Sequence, residues 1–362
     1  MMRWKFFNSQ SSIRNSKSQS VIGHSSLENI EQSSQPNLSP IAPRPRQTFF
    51  VELSFVIRRM PAWLFAFLSL VSIFILYQFV GGGLLFLFFG LNLTAQDVAT
   101  FRWATMLGQF FFLLAPTIVL ARLRFPDVKN VFRFGTINLK EILLVIVAVI
   151  ALQQLSQGYM MVQDALPIHL PPVIQKLVDQ IKEMMEVMTR QLVTTHSIPE
   201  FLFVVLVIAV TPAVCEELLF RGLIQRTLEA PDSSTLSLSA EKSRRGLVAA
   251  SVTGVVFALY HLNPFTLIPL VALGVYFGFV VYRTQNIVTS MVAHFVNNFL
   301  ACLAVYLHLD DDFLAIAPVG SLTPALLTAN FGLSAVVFVA ATYYLVRITH
   351  RTDVQPVEQA PD

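Results

Sequence analysis

Long apolar stretches, separated by short polar ones, make up most of the chain, and this pattern predicts a protein that crosses a membrane repeatedly. Eight stretches are long and apolar enough to span a bilayer, which takes about 20 residues in a helix. They are 63–90, 104–121, 142–162, 201–226, 246–262, 265–282, 286–307 and 325–346. The predicted fold is therefore an all-α polytopic membrane protein with about eight transmembrane helices.

Composition and charge support this class and give the chain an orientation. Hydrophobic residues make up 54% of the chain and charged residues 13%, whereas soluble domains carry about 25% charge. The net charge of +3 gives no indication of a nucleic-acid partner. Lys and Arg precede the first span and follow the second, fourth, sixth and eighth. The positive-inside rule then places both termini in the cytoplasm, and the Ser-rich tail and short loops favour a bacterial plasma membrane.

Two segments differ from the spans. Residues 8–46 are rich in Ser, Asn, Gln and Pro, which cannot build a core, so 1–60 is predicted to be a disordered cytoplasmic tail. Residues 173–193 carry apolar side chains at helical spacing and balanced charges on the other face, which predicts an interfacial amphipathic helix on the outer side. We assign 61–199 to N-terminal helices, 200–308 to a core, and 309–362 to the last span and a short tail.

The fourth span contains an unusual group of charges. Glu216, Glu217 and Arg221 follow a stretch, 201–214, that has no charge at all. A charged side chain at the centre of a membrane helix costs about 2.5 to 3.5 kcal/mol on insertion scales, so such residues are functional by default. Glu217 and Arg221 are four residues apart in the order that favours a helical ion pair. The bland alternative is a buried brace between helices.

Two later spans place further polar residues at a similar depth. His261 lies at the end of the fifth span, and His294 and Asn298 lie four apart in the seventh. Counted from the predicted cytoplasmic boundaries, Glu216 and these three residues lie about 12 to 21 Å into the membrane. Taken singly, a His or Asn within a membrane helix often only forms a hydrogen bond to a neighbouring helix. Together, a carboxylate, two imidazoles and an amide at one depth indicate a hydrolytic site.

These motifs resemble a known family. Glu216-Glu217-x-x-x-Arg221, Phe257-x-x-x-His261 and His294-x-x-x-Asn298 are similar, in that order, to the three motifs of the CAAX protease and bacteriocin-processing (CPBP) intramembrane proteases. That family includes the type II CAAX prenyl endopeptidase. The resemblance covers roughly 200–308, and the three motifs together are far more specific than any one alone.

The resemblance implies an intramembrane endopeptidase that hydrolyses a peptide bond of a membrane-associated protein or peptide, in CAAX-type or bacteriocin-type processing. Glu216 would be the general base that activates a water, and His261 would hold and polarise that water. His294 and Asn298 would stabilise the oxyanion, while Glu217 and Arg221 would support the site as a pair. The lipid bilayer and the membrane-associated substrate are the expected partners.

Three questions stay open at this point. Zinc is a candidate cofactor with Glu216, His261 and His294 as ligands, but a metal-free glutamate mechanism uses the same side chains. A non-catalytic binding or immunity factor could use the same polar cluster, and a transporter could place a binding site at this depth. Cys215 and Cys302 lie in apolar stretches without metal or redox spacing, so we expect them to pack as small apolar residues.

Overall fold

The computed structural model describes residues 49–90, 98–166, 171–230, 239–308 and 324–349, and within these ranges it contains helices and no strand. In chain order the helices are α1 (Phe49–Arg59), α2 (Ala62–Phe89), α3 (Val98–Arg124), α4 (Val128–Phe132), α5 (Leu139–Ala165), α6 (Pro172–Val193), α7 (Ile198–Glu229), α8 (Ser239–Tyr260), α9 (Leu267–Thr284), α10 (Ile287–Tyr306) and α11 (Pro324–Ile348).

Seven of the described helices are long and apolar enough to cross a membrane, namely α2, α3, α5, α7, α9, α10 and α11. The protein is therefore an all-α polytopic membrane protein. The remaining predicted span, 246–262, coincides with the end of α8. This helix begins at Ser239, before the predicted span, and the sequence of its first turns includes Glu241, Lys242, Arg244 and Arg245. The apolar part that follows these residues is shorter than the apolar stretches of the other seven helices.

The two segments predicted to lie outside the spans differ in outcome. Residues 1–48 of the predicted tail lie outside the described residues, but 49–59, also assigned to that tail, form α1. Leu53 and Ile57 recur at helical spacing and pack against the core around Phe65. The prediction missed this helix because it extended the Ser-rich tail over these residues. The predicted amphipathic segment 173–193 forms α6, none of whose residues is buried. Its position at a membrane interface remains a prediction.

Small residues allow α8 and α9 to pack very closely. A Cβ atom built on Gly254 would lie 2.3 Å from the backbone nitrogen of Val275, and one on Gly274 would lie 2.6 Å from the carbonyl oxygen of Gly254. One turn further along, a Cβ on Gly278 would lie 3.0 Å from the Cα of Ala250. Membrane helices use such small residues to bring backbones together. This contact fixes α8, which ends next to His261, against α9.

Helix α7 contributes to the largest described core and contains two stretches with wider turns. The stretches Val205–Val210 and Leu218–Gln225 have the wider turns of a π-helix, and Thr211–Glu217 between them is α-helical. Such turns are frequent at functional sites. Here they flank the segment that carries Glu216 and Glu217.

Candidate active site

The two adjacent glutamates of α7 face different helices. Successive residues of a helix point about 100° apart because one turn takes about 3.6 residues. Glu216 therefore faces the end of α8, where its Oε2 lies 4.0 Å from His261 Nε2. Glu217 faces α10, where its Oε1 lies 3.0 Å from His294 Nδ1. The chain thus forms two separate Glu–His pairs.

The Glu216–His261 pair is the accessible one. The side chains of Glu216 and His261 are 15% and 32% exposed. His261 Nδ1 lies 2.8 Å from the carbonyl oxygen of Phe257. Because a carbonyl oxygen only accepts hydrogen bonds, Nδ1 is the nitrogen that carries the proton, and in the neutral form of the ring Nε2 then presents a lone pair toward Glu216. Glu216 Oε2 is itself a buried atom without a hydrogen-bond partner in the described part of the chain.

The Glu217–His294 pair is buried. The two side chains are 0% and 4% exposed. His294 stacks on Phe277, with ring centroids 5.4 Å apart, and meets the edge of Phe257 at 5.7 Å. Since Glu217 Oε1 accepts from His294 Nδ1, the tautomer of this histidine is fixed as well. His294 is therefore held in one orientation by a carboxylate below it and two aromatic rings beside it.

Arg221 completes the buried pair and ties it to α9. Its Nη1 donates to Glu217 Oε1 at 2.7 Å, and its Nη2 donates to the carbonyl oxygen of Gly274 at 2.9 Å. The guanidinium carbon lies 4.7 Å from the ring centroid of Phe257 and 5.4 Å from that of Phe277. Arg221 is fully buried, so these contacts replace the water that its charge has lost.

The polar row on α7 continues past the motif. Gln225, one turn after Arg221, is fully buried and donates from Nε2 to the carbonyl oxygen of Gly278 at 3.0 Å and to Glu229 Oε1 at 2.9 Å. Glu229 in turn pairs with Arg133, which precedes α5. Glu217, Arg221, Gln225 and Glu229 are spaced four residues apart and form two hydrogen-bonded pairs, Glu217–Arg221 and Gln225–Glu229, along one side of α7. The sequence-based prediction missed Gln225 and Glu229, although their spacing from Arg221 was visible.

Asn298 is held by a contact that the sequence did not suggest. Its Nδ2 donates to the carbonyl oxygen of Ile208 at 2.9 Å, and its Oδ1 accepts from Asn297 Nδ2 at 3.1 Å. Ile208 lies four residues before Pro212, which has no N–H to donate to that carbonyl in an α-helix. Asn298 therefore ties α10 to α7, and one N–H of its amide remains free for another acceptor.

The three candidate zinc ligands do not gather around one point. Glu216 approaches His261, whereas His294 is bonded to Glu217. Among the described residues, no group of three His, Cys, Asp or Glu side chains is placed to hold a metal ion. The donor set as arranged does not fit a three-ligand zinc centre. Cys215 and Cys302 are both buried within apolar clusters.

Residues 198–300 match the family model described as type II CAAX prenyl endopeptidase Rce1-like. The match supports assignment to the CAAX protease family. It confirms the family resemblance predicted from the motifs, and it spans α7 to most of α10, including both Glu–His pairs. Neither curated proteins nor solved structures gave a match to the chain.

Proposed function

We propose that this chain is an intramembrane endopeptidase of CAAX type, with residues 200–308 as its catalytic core. The observation that carries the proposal is the partly exposed pair of Glu216 and His261, whose Oε2 and Nε2 atoms, two potential acceptors, lie 4.0 Å apart. Glu216 acts as the general base, and the substrate is a membrane-associated protein or peptide that enters from the bilayer.

The geometry suits activation of a water molecule. A hydrogen bond to either atom is about 2.8 Å long, so the distance between them suits one shared water once room for it opens beside the buried Glu216 Oε2. Both atoms are acceptors, so the water directs its two hydrogens at them and leaves a lone pair free for attack. Glu216 takes one proton as the water oxygen bonds to the peptide carbon and the carbonyl oxygen becomes an oxyanion. When the C–N bond breaks, Glu216 returns that proton to the leaving amine.

His294 and Asn298 are the proposed oxyanion donors. Asn298 has one amide N–H left after its bond to Ile208. His294 already donates from Nδ1 to Glu217, so donation from Nε2 requires the imidazolium form, which would share the one negative charge of Glu217 with Arg221. Removing one oxyanion donor costs about 10² to 10³ in rate. This scheme uses no metal; stoichiometric zinc in active protein, with activity lost on chelation, would replace it with a metal-dependent one.

The site can be tested without knowing the substrate. Glu216→Gln keeps the size of the side chain but removes the base, and Glu186→Gln makes the same change on exposed α6 as a control. We expect new protein N-termini in cells that express the wild type or Glu186→Gln, and none with Glu216→Gln. Identical sets of N-termini in all three cell lines, with all three proteins folded and abundant, would favour a non-catalytic binding or immunity factor instead.

The placement in the cell follows from charge. Lys and Arg flank the ends of the spans on one side, and this supports a multi-pass protein with both termini in the cytoplasm. A bacterial plasma membrane is the proposed location, and either CAAX-type or bacteriocin-type processing is compatible with it.

A further inference from the structure

His261 lies where the backbone is least constrained by its own helix. Helix α8 ends at Tyr260, and His261 donates its backbone N–H to Ala258 at 3.2 Å, in a tighter turn than the α-helix makes. Leu262, which follows, has a left-handed φ of 50°. The last carbonyls of a helix have no partner within that helix, so the position of His261 depends on contacts that come from elsewhere.

Helix α2 supplies such contacts, and both of them reach Tyr260. The carbonyl oxygen of Tyr260 accepts a hydrogen bond from Gln78 Nε2 at 2.8 Å, and the Tyr260 hydroxyl donates to the carbonyl oxygen of Leu70. The ring of Tyr260 also meets the edge of Phe74, with centroids 5.1 Å apart. Tyr260 is thus fixed to α2 through its backbone, its hydroxyl and its ring.

Proline makes the Gln78 contact necessary. If α8 continued, the carbonyl of Tyr260 would accept from the N–H four residues later, but that residue is Pro264 and has none. A buried carbonyl without a donor is costly. A second glutamine, Gln163 of α5, donates to the carbonyl oxygen of Phe265 at 3.0 Å. Both ends of the loop 261–266 are therefore held by amides from helices outside the family match.

We propose that Gln78 and Tyr260 are positioning residues, which clamp the end of α8 to α2 and so set the distance from His261 Nε2 to Glu216. The catalytic part of this inference rests on the proposed function; the positional part does not. A misplacement of about 1 Å in a catalytic group can cost about 10² in rate, so a hydrogen bond remote from the chemistry can control it.

Reactivity of His261 with diethyl pyrocarbonate tests the clamp without any substrate. The reagent modifies an imidazole nitrogen that has a free lone pair, and mass spectrometry reports the rate at each histidine. Gln78→Met keeps the side chain's length and removes its donor, and Tyr260→Phe removes only the hydroxyl. We expect the rate at His261 to change about threefold or more in both variants as the loop opens locally, while exposed His196 serves as an unchanged internal reference.

Two further variants distinguish a loss of positioning at His261 from a general loss of structure. Gln78→His places a ring N–H at about the reach of the glutamine Nε2 and should restore the wild-type rate at His261. Gln175→Met removes an exposed amide contact on α6, to Asp179, and should leave that rate unchanged. Unchanged reactivity of His261 in both Gln78→Met and Tyr260→Phe, with both proteins folded, would overturn the clamp.

Turnover of a fluorescence-quenched farnesylated CAAX peptide tests the catalytic part. With the clamp lost, we expect kcat to fall by about 10 to 100-fold while KM is unchanged, since only the alignment of His261 is affected. A rise in KM with an unchanged kcat would contradict the positioning role, because it would show weaker substrate binding without any loss of alignment. If the wild type does not cleave this peptide, the proposed CAAX specificity fails, and the reactivity of His261 still decides the clamp.

Discussion

Replacement of Arg221 by Met is the most direct test of the buried ion pair. The change removes the guanidinium but keeps a long apolar side chain in its place. Glu217 Oε1 would lose the donor at 2.7 Å and keep only His294 at 3.0 Å, and the carbonyl of Gly274 would lose its donor as well. Because both side chains of the pair are fully buried, no water replaces these donors.

The size of the effect follows from this burial. Breaking a buried ion pair by removing one partner costs about 3 to 5 kcal/mol because the other charge is left uncompensated. Replacing both partners by neutral groups is often close to neutral. We therefore expect Arg221→Met and Glu217→Gln each to lose about 3 kcal/mol of unfolding free energy, and the double variant to lose no more than the worse single one.

Unfolding in mixed micelles, followed by tryptophan fluorescence while the SDS fraction is raised, measures these free energies. Lys182→Met is the matched control, because Lys182 pairs with Asp164 at 2.9 Å but both side chains are partly exposed, 36% and 55%. Its loss should cost less than about 1 kcal/mol. Costs of the two single substitutions that simply add in the double variant would refute the pairing as a source of stability.

Two other contacts give one prediction about stability and one about activity. Gly254→Ala should destabilise the protein in the same unfolding assay, because its Cβ would lie 2.3 Å from the backbone nitrogen of Val275. Gly108→Ala, whose Cβ would have no atom within 4 Å, should be neutral or stabilising by up to about 1 kcal/mol. Equal effects of the two substitutions would contradict the close contact between α8 and α9. Asn298→Ala should lower the free energy of unfolding by only about 0.6 kcal/mol, the average for a membrane hydrogen bond, yet lower kcat on the farnesylated peptide by about 10². A loss of stability with an unchanged kcat would show that Asn298 serves only to bond α10 to Ile208.

Periodicity and motifs predicted much of the fold. The long apolar stretches predicted the approximate ends of the seven described helices that could cross a membrane, because a helix that faces lipid must be apolar over its whole length. The amphipathic pattern of 173–193 likewise located α6 within a residue. The exceptions are α1, which falls within the segment predicted to be a disordered tail, and α8, which begins at Ser239, before its predicted span.

The contacts within the site could be predicted only along one helix. The spacing of Glu217 and Arg221 indicated their pairing, because residues four apart share a face. Pairing between helices depends on how each helix is rotated, and this is invisible in a single sequence. For that reason neither the bond from His294 to Glu217 nor the bond from Asn298 to Ile208 was anticipated, and the hypothetical zinc ligands did not converge.

The cross-helix amides follow a rule that does relate sequence to structure. A proline within or just after a membrane helix frees the carbonyl four residues before it, and in a bilayer that carbonyl must find another donor. Pro212 frees Ile208, which Asn298 satisfies, and Pro264 frees Tyr260, which Gln78 satisfies. Each amide holds an element that carries a catalytic candidate, α7 in the first case and the end of α8 in the second. The prolines thus do more than bend helices, since they leave acceptors through which neighbouring helices contact α7 and the end of α8.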